Sequence, residues 1–201
     1  MIRLLLADDQ ALVRGALSAL LNLEPDIEVV AEVGSGADVV TAALGSSPDV
    51  AMLDIEMPGM DGIAATAALR EAVPGVRVLI VTTFGRPGYL RRALQAGASG
   101  FVVKDTPAAQ LAEAVRRVAQ GLRVVDPDLA TDSLVTGDSP LSPRETEVLQ
   151  AARDGSSAAA IAAGLFLSEG TVRNHLSAAI GKTGATNRAE AVRVAESNGW
   201  L

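Results

Sequence analysis

The feature that most constrains this chain is an alternation, five times over in its first 120 residues, of short apolar runs with helical stretches. The apolar runs occupy 2–7, 27–33, 50–53, 76–81 and 100–103 and are rich in Val, Leu and Ile. Short runs with little polar alternation are the signature of strands buried on both faces. Between them, 11–23 carries Leu12, Val13, Ala16, Leu17, Leu20 and Leu21 at helical spacing. A fourth helix is expected in 87–96. A fifth runs to about Gln120 from Thr106-Pro107, an N-cap followed by Pro at the first helical position. Strands and helices in this order fold as α/β, a five-stranded parallel, doubly wound sheet covered on both faces.

Composition narrows what such a fold can do. Hydrophobic residues make up 49% but aromatics only 2%, so the core is built from Ala, Val, Leu and Ile. The absence of cysteine excludes a disulfide framework, a thiolate zinc site and a cysteine nucleophile. A single histidine argues against a dedicated His/Cys metal site, which leaves a hard cation held by carboxylates. No apolar run approaches the roughly 18 residues of a membrane span, and the first residues lack a signal-peptide pattern. The expected location is the cytoplasm, with no membrane insertion.

From Leu141 onward the pattern is helical only. Ser142-Pro143-Arg144-Glu145 is a capping box with Pro at the first helical position, and Asp154-Gly155 ends that helix. A short helix follows over 157–165, Ser168 caps a third that reaches about Thr183, and Asn187 with Glu190 opens a fourth. The expected organisation is therefore an α/β domain over 1–122, an acidic connector over 123–138 with room for one helical turn, and an all-α four-helix domain over 139–201. The formal charge of −7 divides unevenly. Residues 1–122 hold 10 basic and 14 acidic groups, 123–138 hold 1 and 4, and 139–201 hold 6 of each. The last segment is neutral, with Arg173, Lys182 and Arg188 close together in it.

Ligands of open α/β sheets bind at the carboxyl ends of the strands. There the sequence puts Asp8 and Asp9 after the first strand, Asp54 at the end of the third, Thr82 and Thr83 after the fourth and Lys104 after the fifth. Three carboxylates in one pocket repel one another and call for a cation, and oxygen-only ligands favour Mg²⁺. Such a pocket suits phosphoryl transfer, with Asp54 as nucleophile and with Lys104 and Thr82 binding phosphoryl oxygens. Taken singly, each Asp is as readily a helix cap. The placement of all of them at one sheet edge favours the pocket.

In the C-terminal segment, two helices joined by a turn at Phe166-Leu167 have the helix-turn-helix pattern. The second helix exposes Arg173, Asn174 and Ser177, types that suit guanine and adenine edges in a major groove. Thr171 and the helix N-terminus suit a phosphate, as does Arg188 at the start of the last helix. On this segment alone, an ordinary helix of an α bundle is the competing reading.

These residues resemble a known family. Asp8-Asp9, Asp54 with Met57-Pro58-Gly59-Met60-Asp61-Gly62, Val81-Thr82, Gly97-Ala98 and Phe101-Val102-Val103-Lys104 look like the receiver domain of response regulators. Leu141-Ser142-Pro143-Arg144-Glu145, Ile161-Ala162, Leu167-Ser168-Glu169-Gly170-Thr171-Val172-Arg173-Asn174-His175 and Gly184-Ala185-Thr186-Asn187-Arg188-Ala189-Glu190-Ala191 look like the LuxR/NarL-type (FixJ-like) helix-turn-helix. Gln10 stands where many of this subclass have His, which resembles the DesR-type branch paired with membrane-sensing kinases.

The resemblance implies a transcription factor, not an enzyme, phosphorylated on Asp54 by a sensor histidine kinase. It implies Mg²⁺ on Asp9, Asp54 and the backbone carbonyl of Glu56, with Asp8 acting through water, and a switch in which Thr82 moves toward the phosphate and Phe101 turns inward. It further implies a homodimer on phosphorylation that binds double-stranded promoter DNA, and it allows RNA polymerase as a partner. The expected dimer face comprises Leu12, Val13 and Ala16 of the first helix with Leu111, Ala112 and Val115 of the fifth. His175 falls at a scaffold position. Ala158 and Ala160 replace polar residues usual in the family, and Thr183 replaces an apolar one.

Two alternatives belong to other classes. A haloacid dehalogenase-type phosphatase also uses an Asp nucleophile but needs a second Asp two positions on, where Asp54-Ile55-Glu56 has Glu. A regulator that senses a ligand without phosphorylation would have no need for the full Asp8, Asp9, Asp54, Thr82 and Lys104 set.

Overall fold

The computed structural model describes residues 1–83, 87–127, 129–130 and 139–201. Contacts divide the chain into two compact units, one around the N-terminal sheet and one of C-terminal helices.

The first unit follows the order β1 (Ile2–Ala7), α1 (Ala11–Leu21), β2 (Ile27–Val33), α2 (Val39–Ser46), β3 (Val50–Asp54), α3 (Gly62–Ala72), β4 (Arg77–Thr82), α4 (Pro87–Gln95), β5 (Gly100–Val103), α5 (Ala108–Ala119) and β6 (Val124–Val125). The sheet is parallel throughout, in the order β2-β1-β3-β4-β5-β6. It has one strand more than the sequence pattern predicts. Val124–Val125, inside the stretch read as a connector, pair with Gly100 and Phe101 of β5. Residues 127, 129 and 130 beyond them are helical. The rest of the expected connector, residues 128 and 131–138, lies outside the described residues.

The alternation of strand side chains divides the core. Leu4, Leu6, Val50, Met52, Leu79 and Val81 pack on one face against Leu21 of α1 and the stripe Leu111, Ala112, Val115 and Val118 of α5. That stripe recurs at i, i+1, i+4 and i+7, so one side of α5 is apolar and is spent on the sheet. Arg116 ties the other side down, donating to Asp26 at 2.7 and 2.8 Å and to Glu24 at 2.6 Å.

The second unit packs α6 (Pro143–Ala151), α7 (Ala158–Leu165), α8 (Glu169–Thr183) and α9 (Arg188–Ser197). Each begins as the sequence predicts: Ser142, Ser157, Ser168 and Asn187 accept N3 backbone hydrogen bonds, and Ser142 with Glu145 completes a capping box. The core is small and aliphatic, with Val148, Leu149, Ile161, Val172, Ala179, Ala191 and Ala195 buried. Lys182 of α8 reaches Glu145 of α6 at 2.7 and 3.0 Å. Thr183 satisfies its hydroxyl on the carbonyls of Ala179 and Ile180 at 2.8 and 3.1 Å.

Candidate functional site

β1 pairs with β3 so that Ala7 lies beside Leu53, where the strand order reverses. The carboxyl ends of these two strands therefore carry Asp8, Asp9 and Asp54 into one place. Asp8 and Asp54 are buried and Asp9 is exposed, and one carboxylate oxygen from each lies within 4.8 Å of the other two. Lys104 follows β5, and its backbone N–H donates to the Thr82 carbonyl at 2.8 Å, joining the ends of β4 and β5. Its Nζ donates to Asp54 Oδ2 at 2.9 Å and lies 2.7 Å from Asp8 Oδ2. Asp8 Oδ1 accepts the Gln10 N–H at 2.9 Å. One oxygen of Asp8 thus shapes the β1–α1 turn and the other faces the ammonium, while α1 itself, with Gln10 at its N-cap, has no side-chain cap.

Sequence reasoning missed Arg14. Its guanidinium donates to the Asp8 carbonyl and pairs with Glu32 at 3.7 Å, pinning the acidic loop. Its position one turn into α1 was a signal that a search for acids alone passes over. The loop after β3 is held as closely. Gly62 donates to the Ile55 carbonyl at 3.0 Å, and a Cβ there would sit 1.9 Å from the Asp54 carbonyl oxygen, so only glycine lets α3 start against the strand end. Asp61 caps α3 through the Ala64 N–H at 2.7 Å.

Three carboxylates face one ammonium. Burial pushes the Asp54 carboxyl above its ordinary pKa, the hydrogen bond from Lys104 opposes the shift, and the charge of Asp8 reinforces it. Burial works against the Lys104 charge, but its hydrogen bonds to Asp54 and Asp8 outweigh this and hold its pKa above the ordinary value. Asp54 Oδ1 is buried with no hydrogen-bond partner. An anionic oxygen in that state, beside two further carboxylates, is satisfied by a cation, and the all-oxygen donor set fits a hard divalent ion such as Mg²⁺. Of the remaining predicted residues, Thr82 is fully buried at the end of β4, Phe101 is fully buried in β5 opposite Ile80, and Glu56 is exposed in the loop after β3.

In the second unit, α8 buries Val172, Leu176 and Ala179, leaving Arg173, Asn174 and Ser177 together on its exposed side. Arg173 pairs with Glu169 one turn back at 2.7 Å. Thr171 is half-buried, its hydroxyl 2.8 Å from that of Ser168. His175 is half-buried. Arg188, read as a phosphate contact, donates to the carbonyls of Ser156 and Gly155 at 2.6 and 3.3 Å, so its guanidinium also fastens the α6–α7 turn.

The expected dimer face needs correction. On α1, Leu12 is 86% exposed, Ala16 is exposed and Val13 is half-buried. On α5, Leu111, Ala112 and Val115 are all buried in the core of their own unit and present nothing to a partner. The residues α5 turns outward include Ala108, Ala109 and Glu113.

A doubly wound parallel sheet with this acid–lysine pocket, followed in the chain by a four-helix unit, is the architecture of a receiver domain and a helix-turn-helix domain. Residues 4–116 match the response regulator receiver domain, and residues 139–195 match the bacterial regulatory proteins of the luxR family. The chain belongs to the NarL/LuxR-type two-component response regulators, a family of transcriptional regulators with a receiver and a LuxR-type DNA-binding domain. It is 42% identical over 201 residues, all of both chains, to the transcriptional regulatory protein DesR of Bacillus subtilis strain 168. It is 39% identical to the response regulator RamR of Streptomyces coelicolor, across 100% of this chain and 98% of that one. Among solved structures it is similar to the response regulator ChrA of a heme-sensing two-component system, with 38% identity, a TM-score of 0.60 and coverage of 100% and 98% of the two chains. No helix among the described residues is long and apolar enough to cross a membrane.

Proposed function

We propose that Asp54 accepts a phosphoryl group from a sensor histidine kinase in the cytoplasm, and that the modified protein pairs with a second copy and binds promoter DNA through α8. The observation that carries the reading is the state of Asp54: buried, with one oxygen on Lys104 and the other unpartnered beside Asp8 and Asp9. An Asp54 oxygen attacks phosphorus as the bond to the donor histidine nitrogen breaks, and the electron pair of that bond returns to the imidazole. Mg²⁺ held by Asp8, Asp9, Asp54 and the Glu56 carbonyl would neutralise charge on the transferring phosphoryl oxygens. Lys104 transfers its hydrogen bonds from the free carboxylates to a phosphoryl oxygen, and Thr82 supplies a hydroxyl to another. The changed position of Thr82 is passed to Phe101 within the same core. On DNA, Arg173 and Asn174 read base edges, while Thr171, Ser177 and Arg188 contact the backbone or flanking groups. RNA polymerase is a further partner once the dimer is in place.

Acetyl phosphate with Mg²⁺ should label the protein as an acyl phosphate on Asp54, and Asp54→Ala should abolish the label. Undiminished labelling of the variant, by mass spectrometry, would overturn the assignment.

A further inference from the structure

The chain holds three phenylalanines, and Phe166 is 96% exposed, the most exposed of the large apolar side chains among the described residues. It also closes α7 in the left-handed conformation, at φ 56° and ψ 44°. Its own N–H and that of Leu167 both return to the Ala162 carbonyl, which ends the helix and turns the chain toward Ser168, the cap of α8. A left-handed residue at a helix end is ordinarily Gly or Asn, because any other side chain meets the carbonyl that follows it. Here the glycine stands two positions earlier. Gly164 lies in regular helix with open space at its Cβ position, while the strained position holds a bulky aromatic ring. Neither feature of Phe166 contributes to stability: the exposed ring buries nothing on folding, and the left-handed backbone costs free energy. A left-handed backbone held at an aromatic residue whose ring packs on nothing in its own unit marks a residue kept for what it touches.

We propose that the Phe166 ring is an apolar contact to DNA, packing on deoxyribose or a thymine methyl at the edge of the groove that α8 enters. This rests on the DNA-binding reading above and adds a residue to it. In a helix-turn-helix the first residues of the reading helix contact base edges while the helix before it crosses the DNA backbone, so the turn that joins them lies between those two contacts. Phe166 lies two residues before the Ser168 cap, next in sequence to the Thr171, Arg173 and Asn174 surface. DNA offers an apolar ring two partners there, the sugar edge and the thymine methyl.

The test uses the full chain, modified with beryllofluoride, on a duplex it has selected from a random-sequence pool. Phe166→Gly and Phe166→Asn both accept the left-handed conformation, so both should raise the melting temperature of the C-terminal unit, by about 4 °C or more. Both should weaken DNA binding about tenfold, as expected for losing one largely buried ring. Because no charge is removed, the slope of affinity against salt should stay unchanged. Phe166→Leu should keep most of the affinity. Arg173→Ala in parallel tests the underlying reading. If Arg173→Ala weakens binding and Phe166→Gly does not, the DNA reading stands and this inference fails. If Phe166→Gly leaves DNA affinity intact but lowers self-association in light scattering, the ring belongs to a protein interface and the inference is likewise overturned.

Discussion

Removing the ammonium of Lys104 tests the electrostatics of the pocket without touching an acid. In Lys104→Met the apolar stem is kept as far as Cε, but the contacts at 2.7 Å to Asp8 and 2.9 Å to Asp54 disappear with the ammonium. Both acids are buried, so neither gains full hydration in exchange. Deleting one partner of a buried ion pair costs about 3–5 kcal/mol, because the charge left behind is uncompensated. For a unit near 120 residues each kcal/mol moves the transition by roughly 4 °C, so the loss should be about 12–20 °C. Magnesium ions change the outcome in a specific direction. They stabilise wild type by about 2.7 kcal/mol at a hundred times the dissociation constant, and they should bind the variant more tightly, since three carboxylates then face no internal cation. The deficit should therefore narrow when magnesium is saturating. Calorimetry of the full chain, with chelator and with magnesium, measures both numbers. A loss under about 1 kcal/mol with chelator, or one that magnesium leaves unchanged, would refute the ion-pair argument.

Other expected outcomes concern the second unit and the dimer. Arg173→Ala should cost about 1–3 kcal/mol at one base position per half-site, read from binding to duplexes permuted at each position; unchanged affinity and preference would mean that α8 is not the reader. Arg188→Ala should lower the salt slope by about one and also destabilise the unit by about 1 kcal/mol through the lost carbonyl contacts to Ser156 and Gly155; a stability loss with no change in slope leaves Arg188 a purely structural residue. The Glu145 carboxyl is held below its ordinary pKa, first by Lys182 and then by the Ser142 N–H. A folded pKa below the unfolded one contributes stability that is present above the unfolded value and lost as pH falls through the folded one, so the second unit should weaken between about pH 5 and 3, and Glu145→Gln should remove that part of the dependence in thermal melts. Leu12→Glu should block beryllofluoride-induced dimerisation in light scattering while labelling of Asp54 proceeds, and a dimer that survives the change would remove α1 from the interface.

The pocket was legible because its parts sit at strand ends, and strand ends are marked in sequence by the stop of an apolar run. Asp8, Asp54, Thr82 and Lys104 each follow such a stop, and parallel pairing then brings them together. Three of the four C-terminal helices were legible from the caps Ser142, Ser168 and Asn187, since a Ser or Asn that accepts an N3 hydrogen bond is a local event. What was not legible depends on tertiary choice. Val124–Val125 is too short a run to register, and becomes a strand only because the edge of β5 is open beside it. The stripe Leu111, Ala112 and Val115 reads equally well as a face for a sheet or for a second copy, and the sheet takes it because α5 has no other apolar side. The bond of Arg188 to Ser156 joins residues whose spacing carries no signal, and that of Arg14 to Asp8 is marked only by the place of Arg14 one turn into α1. Phe166 was visible as a turn residue, but its exposure and positive φ were not.

The division of charge along the chain bears on why the proposed switch should run through pairing of copies. The segment 139–201 has 6 basic and 6 acidic groups. Its positive groups are also partly engaged: Arg173 with Glu169, Lys182 with Glu145, Arg153 with Glu196 and Arg144 with Glu147. Non-specific affinity for a duplex comes mostly from releasing counterions, and its strength scales with the number of phosphates a protein neutralises. A unit with so few uncommitted cations is expected to have little of this background binding, so that one copy alone should hold DNA weakly. Joining two copies makes the second contact intramolecular, at an effective concentration of order millimolar, and raises avidity by roughly 10²–10⁴ without any new contact to DNA. A strongly basic reader would bind DNA before modification and leave the phosphoryl group little to add. On the proposed reading, the neutrality of this segment is what would let a modification at Asp54 control occupancy.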